Sequence, residues 1–295
     1  MTTTTQPASG SSFAHAQPLD AFTRILVHVA ADRPSQSRMS VGSTLADRFR
    51  GRMTGVYVPK LVMPTLLGTP EFPTALLLDL EARALDDAEN ARRLFRECVA
   101  EKGSAAEWLV VRGDPVNALT SAARYMDITV LGQIAPDAPN IDGTVRPEAI
   151  AFGSGRPVLI IPYIGAPSEV GSRIVVAWDG GREAARAVAD AMPLLRQAGA
   201  VWVISIDGTA NAPGDDSAAE DLCSFLADHG VAARPETLGV DEAEASDVVL
   251  SRIVDLGADL LVMGCYGHTR LHESVLGGMT RDILRHMTVP VLMSH

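Results

Sequence analysis

Arg173-Ile-Val-Val-Ala-Trp178 repeats a pattern already set by Arg24-Ile-Leu-Val-His-Val29: one basic residue, then a short run of β-branched and aliphatic side chains. A run that is apolar at successive positions fits a strand buried on both faces of a parallel sheet. Two further pairs follow in the same order. Asp127-Ile-Thr-Val-Leu-Gly132 matches Asp259-Leu-Leu-Val-Met-Gly264, and Pro157-Val-Leu-Ile-Ile161 matches Pro290-Val-Leu-Met293. The chain therefore contains one unit twice. Between these anchors, 183–195, 218–229 and 245–256 space apolar residues three and four apart and read as helices. Stretches 51–58 and 200–206 read as second strands, and 107–111 and 233–238 as third strands. Strands alternate with helices, and right-handed crossovers turn that alternation into a doubly wound parallel sheet with helices on both faces.

A length of 295 residues suits two such units, at about 150 residues each. The expected organisation is a flexible tail over 1–19, a first domain over 20–164, a Gly, Pro and Ser linker over 165–172, and a second domain over 173–295. The tail is rich in Thr and Ser and lacks the basic and apolar regions of a secretory signal. The halves differ at 60–80, where Met63-Pro-Thr-Leu-Leu-Gly68 and Pro73-Thr-Ala-Leu-Leu-Leu-Asp79 form a Pro-rich apolar insert. It reads either as a lid on the helices or domain seam, or as one wall of an apolar pocket.

Hydrophobic residues make up 47% and charged residues 21%, which fits a compact globular protein rather than a disordered or fibrous one. A formal charge of −11 repels phosphate backbones, so duplex nucleic acid is not an expected partner. The three cysteines, Cys98, Cys223 and Cys265, form no CxxC pair, which argues against a zinc knuckle or a secreted disulfide framework and for a reducing cytoplasm. No apolar run approaches the roughly 18–20 residues that span a bilayer, so no membrane association is expected.

The densest glycine signal follows the strand ending at Gly264: Cys265, Tyr266, Gly267, then nine residues from His268 to Leu276, then Gly277 and Gly278, then a helical pattern from Thr280. Glycines let a backbone approach oxygen atoms closely, and free N–H groups at a helix start face an anion. In an open α/β sheet, ligands sit beyond the carboxyl ends of the strands where the connections change direction. Asp179, after the first strand of the second half, lies at that edge with Gly264, and its carboxylate suits an adenine amino group or a ribose hydroxyl. Taken alone, Asp179-Gly180-Gly181 also reads as a plain strand-to-helix turn with an N-cap.

With these residues in place, the second half resembles a universal stress protein domain. The nucleotide-binding form of that family carries an Asp after its first strand and, after its fourth, Gly, two residues, Gly, nine residues, Gly, then Ser or Thr. The resemblance implies a Rossmann-like α/β fold: two five-stranded sheets in tandem, each of strand order 3-2-1-4-5. It implies that Asp179 contacts adenine or ribose, that Ile206 flanks adenine, and that Met263, Gly264, Gly267, His268, Gly277, Gly278 and Met279 surround ribose and phosphates. The cofactor implied is ATP or another adenine nucleotide, with or without Mg. Gly278 stands where the family has Ser or Thr, a missing hydrogen bond worth about 0.5–1.5 kcal/mol, and Thr280 is a candidate to replace it in part.

The first half departs from the pattern. Ala30-Ala31-Asp32-Arg33-Pro34 has no turn glycine, Gln133-Ile-Ala-Pro136 lacks the second glycine, and Pro147 opens the last helix. This half is expected to bind no nucleotide in the family manner. The function implied is a cytoplasmic stress-response sensor or adaptor, with an unidentified protein partner and at most slow ATP hydrolysis. Strands 157–161 and 290–294 would pair as an internal pseudo-dimer, and two chains would form a homodimer. The rival reading is an interaction module without nucleotide, holding an apolar ligand or a protein through the 60–80 insert.

Other chemistry finds little support. Lys60 and Lys102 are the only lysines and neither follows a glycine loop, which excludes a Walker-type ATPase. No GxSxG or HExxH motif occurs. His268 and His272 lack a third ligand, Arg270 and Arg281 read as ordinary helix arginines near the loop, and Cys265 reads either as a packed thiol or as a redox-sensitive one.

Overall fold

A computed structural model of the chain describes residues 21–30, 34–59, 74–102, 106–135, 144–206, 217–239, 245–266 and 278–295. The expected tail and residues 60–73 of the insert lie outside the described residues. The first half runs β1 (Arg24–His28), α1 (Pro34–Phe49), β2 (Arg52–Tyr57), α2 (Thr74–Lys102), β3 (Ala106–Val110), α3 (Pro115–Ala123), β4 (Ile128–Gly132), α4 (Pro147–Ser154) and β5 (Val158–Ile161). The second repeats it with β6 (Arg173–Trp178), α5 (Arg182–Leu195), β7 (Ala200–Ile206), α6 (Ala218–Asp228), β8 (Ala233–Leu238), α7 (Ala245–Asp255), β9 (Leu260–Gly264), α8 (Gly278–His286) and β10 (Val291–Ser294).

All the strands join one ten-stranded sheet in the order β3-β2-β1-β4-β5-β10-β9-β6-β7-β8. Each half is a parallel 3-2-1-4-5 sheet, and β5 and β10 meet antiparallel through Ile160↔Val291, Leu159↔Leu292 and Val158↔Met293. All six of these side chains are fully buried. The strand edges expected at 157–161 and 290–294 therefore cover each other, and the sheet's two outer edges fall to β3 and β8. At β8 the edge carries Arg234, Pro235 and Glu236, residue types that discourage further strand pairing.

Alternation along the strands divides the core into two layers. Ile25, Val27, Ile174, Val176, Leu260 and Val262 pack with α1, α2, α5 and α6 on one face. Leu26, Val175, Leu261 and Met263 pack with α3, α4, α7 and α8 on the other. This is the doubly wound arrangement that right-handed crossovers impose.

The two aspartates that open the fourth-strand repeats do the same structural work. Asp127 accepts hydrogen bonds from the Thr23 N–H (2.8 Å), the Thr23 hydroxyl (2.7 Å) and the Arg24 N–H (2.8 Å). Asp259 accepts from the N–H groups of Gly171, Ser172 and Arg173, each at 3.0 Å. Each carboxylate thus pins the start of the central strand of its half, which places the far end of that strand at the candidate site.

In the segment singled out as an insert, residues 74–80 are the first turns of α2, a helix of 29 residues against 11 in its counterpart α6.

Candidate functional site

The site begins where β6 and β9 part. They pair from Ile174↔Leu260 to Val176↔Val262, and beyond that point the chain leaves β6 through Asp179 and β9 through Gly264. β6 is followed in sequence by β7 on one side of the sheet, while β9 lies on the other. The crevice between them is therefore the point at which the crossovers change direction, where this class of sheet binds ligands.

Asp179 is half-buried, and its Oδ1 accepts from the Gly181 N–H at 2.8 Å. Gly181 caps α5 with extended backbone and no side-chain bond of its own. The turn reading of Asp179-Gly180-Gly181 thus holds, with the carboxylate bridging the turn rather than capping the helix, and the same turn sets Asp179 at the crevice mouth. Ile206 closes β7 and is buried, one step past the Trp178↔Ser205 pair and so beside Asp179 in register.

Opposite lies Gly264. A Cβ placed on it would fall 2.6 Å from the Ala184 nitrogen and 2.8 Å from the Glu183 carbonyl carbon. The first turn of α5 therefore presses its backbone directly onto the end of β9, an approach only glycine permits. The Glu183 carboxylate is buried just behind this contact. Burial would raise its pKa, but its hydrogen bonds from Arg182 and from its own N–H, with the charges of Arg182 and His295, carry the net direction below the usual carboxylate value.

The chain then continues through Cys265 and Tyr266. The Cys265 N–H donates to the Ser294 carbonyl at 2.8 Å, and its thiol is fully buried. Burial, reinforced by the nearby Glu148 charge, pushes that thiol up to about 12. Of the two readings of Cys265, the geometry favours the inert one. Alkylation of the native chain at pH 8 should leave Cys265 unlabelled while the half-buried Cys98 and Cys223 react, as peptide mapping before and after unfolding would show. Tyr266 has a left-handed backbone, φ 62, which is uncommon for a bulky residue. Its N–H donates to the Thr280 hydroxyl at 3.4 Å, and its ring packs edge-on to Phe152 of α4, with centroids 6.4 Å apart.

Gly267, His268 and Gly277 lie outside the described residues, as do Arg270 and His272. Gly278 opens α8 and is exposed; among the described residues the nearest atom to a Cβ there would be Asp282 Oδ2, 4.0 Å away. Met263 is buried and Met279 half-buried, both in the core layer beneath α7 and α8. Thr280 is buried, and its hydroxyl oxygen takes the Tyr266 N–H, so it ties the two ends of the glycine segment together. The structure therefore brings Asp179, Ile206 and Gly264 together at one sheet edge and anchors the start of α8 to Tyr266.

The corresponding crevice of the first half is built differently. A Cβ on Gly132 would meet Arg38 Nη1 at 2.5 Å. Arg38 is buried; its Nε donates to the His28 carbonyl at 2.9 Å and its Nη2 to the Ser35 hydroxyl. A side-chain guanidinium thus packs against the end of β4, where in the second half the backbone of the first turn of α5 packs against the end of β9. Sequence reading missed Arg38; the absent glycines after β1 and β4 and Pro147 at the start of α4 showed only that this half differs.

Residues 172–295 match the sequence profile of the Universal stress protein family. The second half of this chain is a universal stress protein domain. The tandem fold has solved counterparts: a universal stress protein from Archaeoglobus fulgidus DSM 4304 is 16% identical, with 92% of this chain and 96% of that one covered and a TM-score of 0.70. A functionally unknown protein from Pseudomonas aeruginosa PAO1 is 17% identical, covering 94% and 93%, with a TM-score of 0.59. At these identities the likeness is one of fold, and it extends over both halves. No curated sequence matches the chain. Among the described residues no helix is long and apolar enough to cross a membrane, and no group of three His, Cys, Asp or Glu side chains is placed to hold a metal.

Proposed function

We propose that the universal stress protein domain at 173–295 binds an adenine nucleotide, ATP or AMP, and that the chain acts through it as a cytoplasmic sensor or adaptor for an unidentified protein partner, as a homodimer. The first domain, 20–164, serves as a structural copy that leaves nucleotide to the second. The observation that carries this reading is the meeting of Asp179 and Gly264 at the switch point of the second sheet. These two residues open the Asp and glycine pattern in sequence, and the fold sets them on neighbouring strand ends.

The residues present fit such a ligand. Asp179 offers an acceptor for a hydroxyl or amino group. The start of α8 supplies helix N-terminal N–H groups for phosphate, each contact contributing roughly 0.3–1 kcal/mol, and among the described residues nothing lies closer than 4.0 Å to a Cβ placed on Gly278. Metal would come with a triphosphate rather than from a carboxylate cluster of the protein. The glycines missing after β1 and β4 support the assignment of a single binding half.

Calorimetric titration of ATP, AMP and cyclic AMP tests the reading with three proteins: wild type, Gly277→Val and Gly278→Ser. Wild type should bind. Gly277→Val should bind at least about ten-fold more weakly, because a branched side chain intrudes where close phosphate approach is required. Gly278→Ser restores the family's hydroxyl and should tighten binding by several-fold, the equivalent of about 0.5–1.5 kcal/mol. Equal affinities for all three proteins would remove this loop from consideration.

A further inference from the structure

One side chain of the first half reaches across the sheet to a helix of the second. Gln133 follows β4 and is buried. Its Nε2 donates to the carbonyl oxygens of Leu284 (2.7 Å) and Arg285 (3.2 Å), both in the last turn of α8. Its Oε1 accepts the Tyr163 N–H at 2.9 Å, just past β5, and its own N–H donates to the Ile161 carbonyl at 2.8 Å. Only one orientation of the amide satisfies these partners. Reversed, it would set its oxygen against two carbonyls and its nitrogen against an N–H.

The need for this contact lies in α8. A helix leaves its last four carbonyls without partners inside the helix. α4, the counterpart of α8 in the first half, ends on Gly155 in the left-handed conformation, φ 66, the usual device for closing a C-terminus. α8 is followed by Met287 and Thr288 and has no such glycine. Its terminal oxygens are met by the Met287 N–H at Ile283, 2.8 Å, and then by the Gln133 amide at the next two. With 9 residues, α8 spans roughly 13 Å and is too short to hold its shape unaided. Whatever steadies its C-terminus steadies its N-terminus, which Thr280 ties to Tyr266 at the crevice.

We infer that Gln133 is a positioning residue for the nucleotide site: the first half fixes the helix whose N-terminal end the second half presents to phosphate. This rests on the nucleotide reading above. It gives the first half a role beyond that of a spent copy, since occupancy of the site and the Gln133 to α8 contact become linked, and such linkage is reciprocal.

The test uses the full chain as wild type, Gln133→Met and Gln133→Glu. Methionine keeps the volume but makes none of the side-chain bonds. Glutamate keeps the acceptor for Tyr163 and loses the donor to α8. ATP and AMP are titrated by calorimetry, and amide exchange at Tyr163 is followed with and without nucleotide. Both variants should bind roughly five-fold more weakly. Nucleotide should slow exchange at Tyr163 in wild type and have no effect on it in Gln133→Glu, a readout that a purely structural role for the side chain would not move.

Wild-type affinity in both variants, or exchange at Tyr163 indifferent to bound nucleotide in wild type, would overturn the inference. The wild-type exchange measurement needs no variant, so a substitution that prevents folding leaves the test standing. If wild type binds none of the nucleotides, the functional reading itself falls, and the inference with it.

Discussion

Gly264→Ala should lower the unfolding free energy by about 3 kcal/mol, the upper part of the range for an overpacked core. The added carbon meets backbone, 2.6 Å from the Ala184 nitrogen and 2.8 Å from the Glu183 carbonyl carbon, and backbone cannot swing aside as a side-chain tip can. Either the first turn of α5 retreats or the end of β9 twists away, and both motions separate Asp179 from the start of α8. Nucleotide affinity should therefore fall along with stability. Gly132→Ala offers an internal comparison at the same place in the first half. There the obstacle is Arg38 Nη1 at 2.5 Å, the end of a flexible side chain, and about 1 kcal/mol is expected. Gly278→Ala, with nothing nearer than 4.0 Å among the described residues, should be neutral or slightly stabilising, because alanine is the better helix residue. Urea unfolding of the three variants gives the ranking. Equal losses at Gly264 and Gly132 would show that the close approach of α5 to β9 is not what demands glycine.

These differences mark what could be read from sequence. The β-branched runs at 24–29 and 173–178 and their partners at Asp127 and Asp259 announced the strands, because burial on both faces leaves no alternation to misread. The joining of β5 to β10 followed from two apolar terminal strands that each needed a neighbour. Asp179 and Gly264 could be placed on one edge because both follow strands. Other features depend on contacts between residues far apart in the chain. Arg38 against Gly132 and Gln133 against α8 leave no local pattern, and the sequence shows only that a glycine is missing nearby. The opening turns of α2 were read as the end of an insert, because Ala75-Leu-Leu-Leu78 is apolar at every position and hides helical periodicity. Thr280 was placed as a substitute hydroxyl for phosphate, while its burial and its bond to Tyr266 give it a structural task that spacing alone does not reveal.

Leu292→Ala should cost about 3 kcal/mol and destabilise both halves together. Leu292 is fully buried and pairs with Leu159 across the antiparallel joint, and truncation of a buried leucine leaves a cavity worth roughly 2–5 kcal/mol. Its side chain faces the layer that contains Val27 and Val130 of the first half and Val176 and Val262 of the second. The core is thus continuous across the joint rather than divided at it, and a single cooperative transition is the consequence. Tryptophan fluorescence can follow the halves separately, since Trp108 lies in the first and Trp178 and Trp202 in the second. Trp108→Phe leaves only reporters of the second half, and the double replacement of Trp178 and Trp202 leaves only that of the first. In these backgrounds Leu292→Ala should shift both midpoints by the same amount. A shift confined to the reporters of the second half would mean that the strands are joined without their cores being coupled, and the route from Gln133 to the nucleotide site would then have to run through the hydrogen bonds at α8 alone.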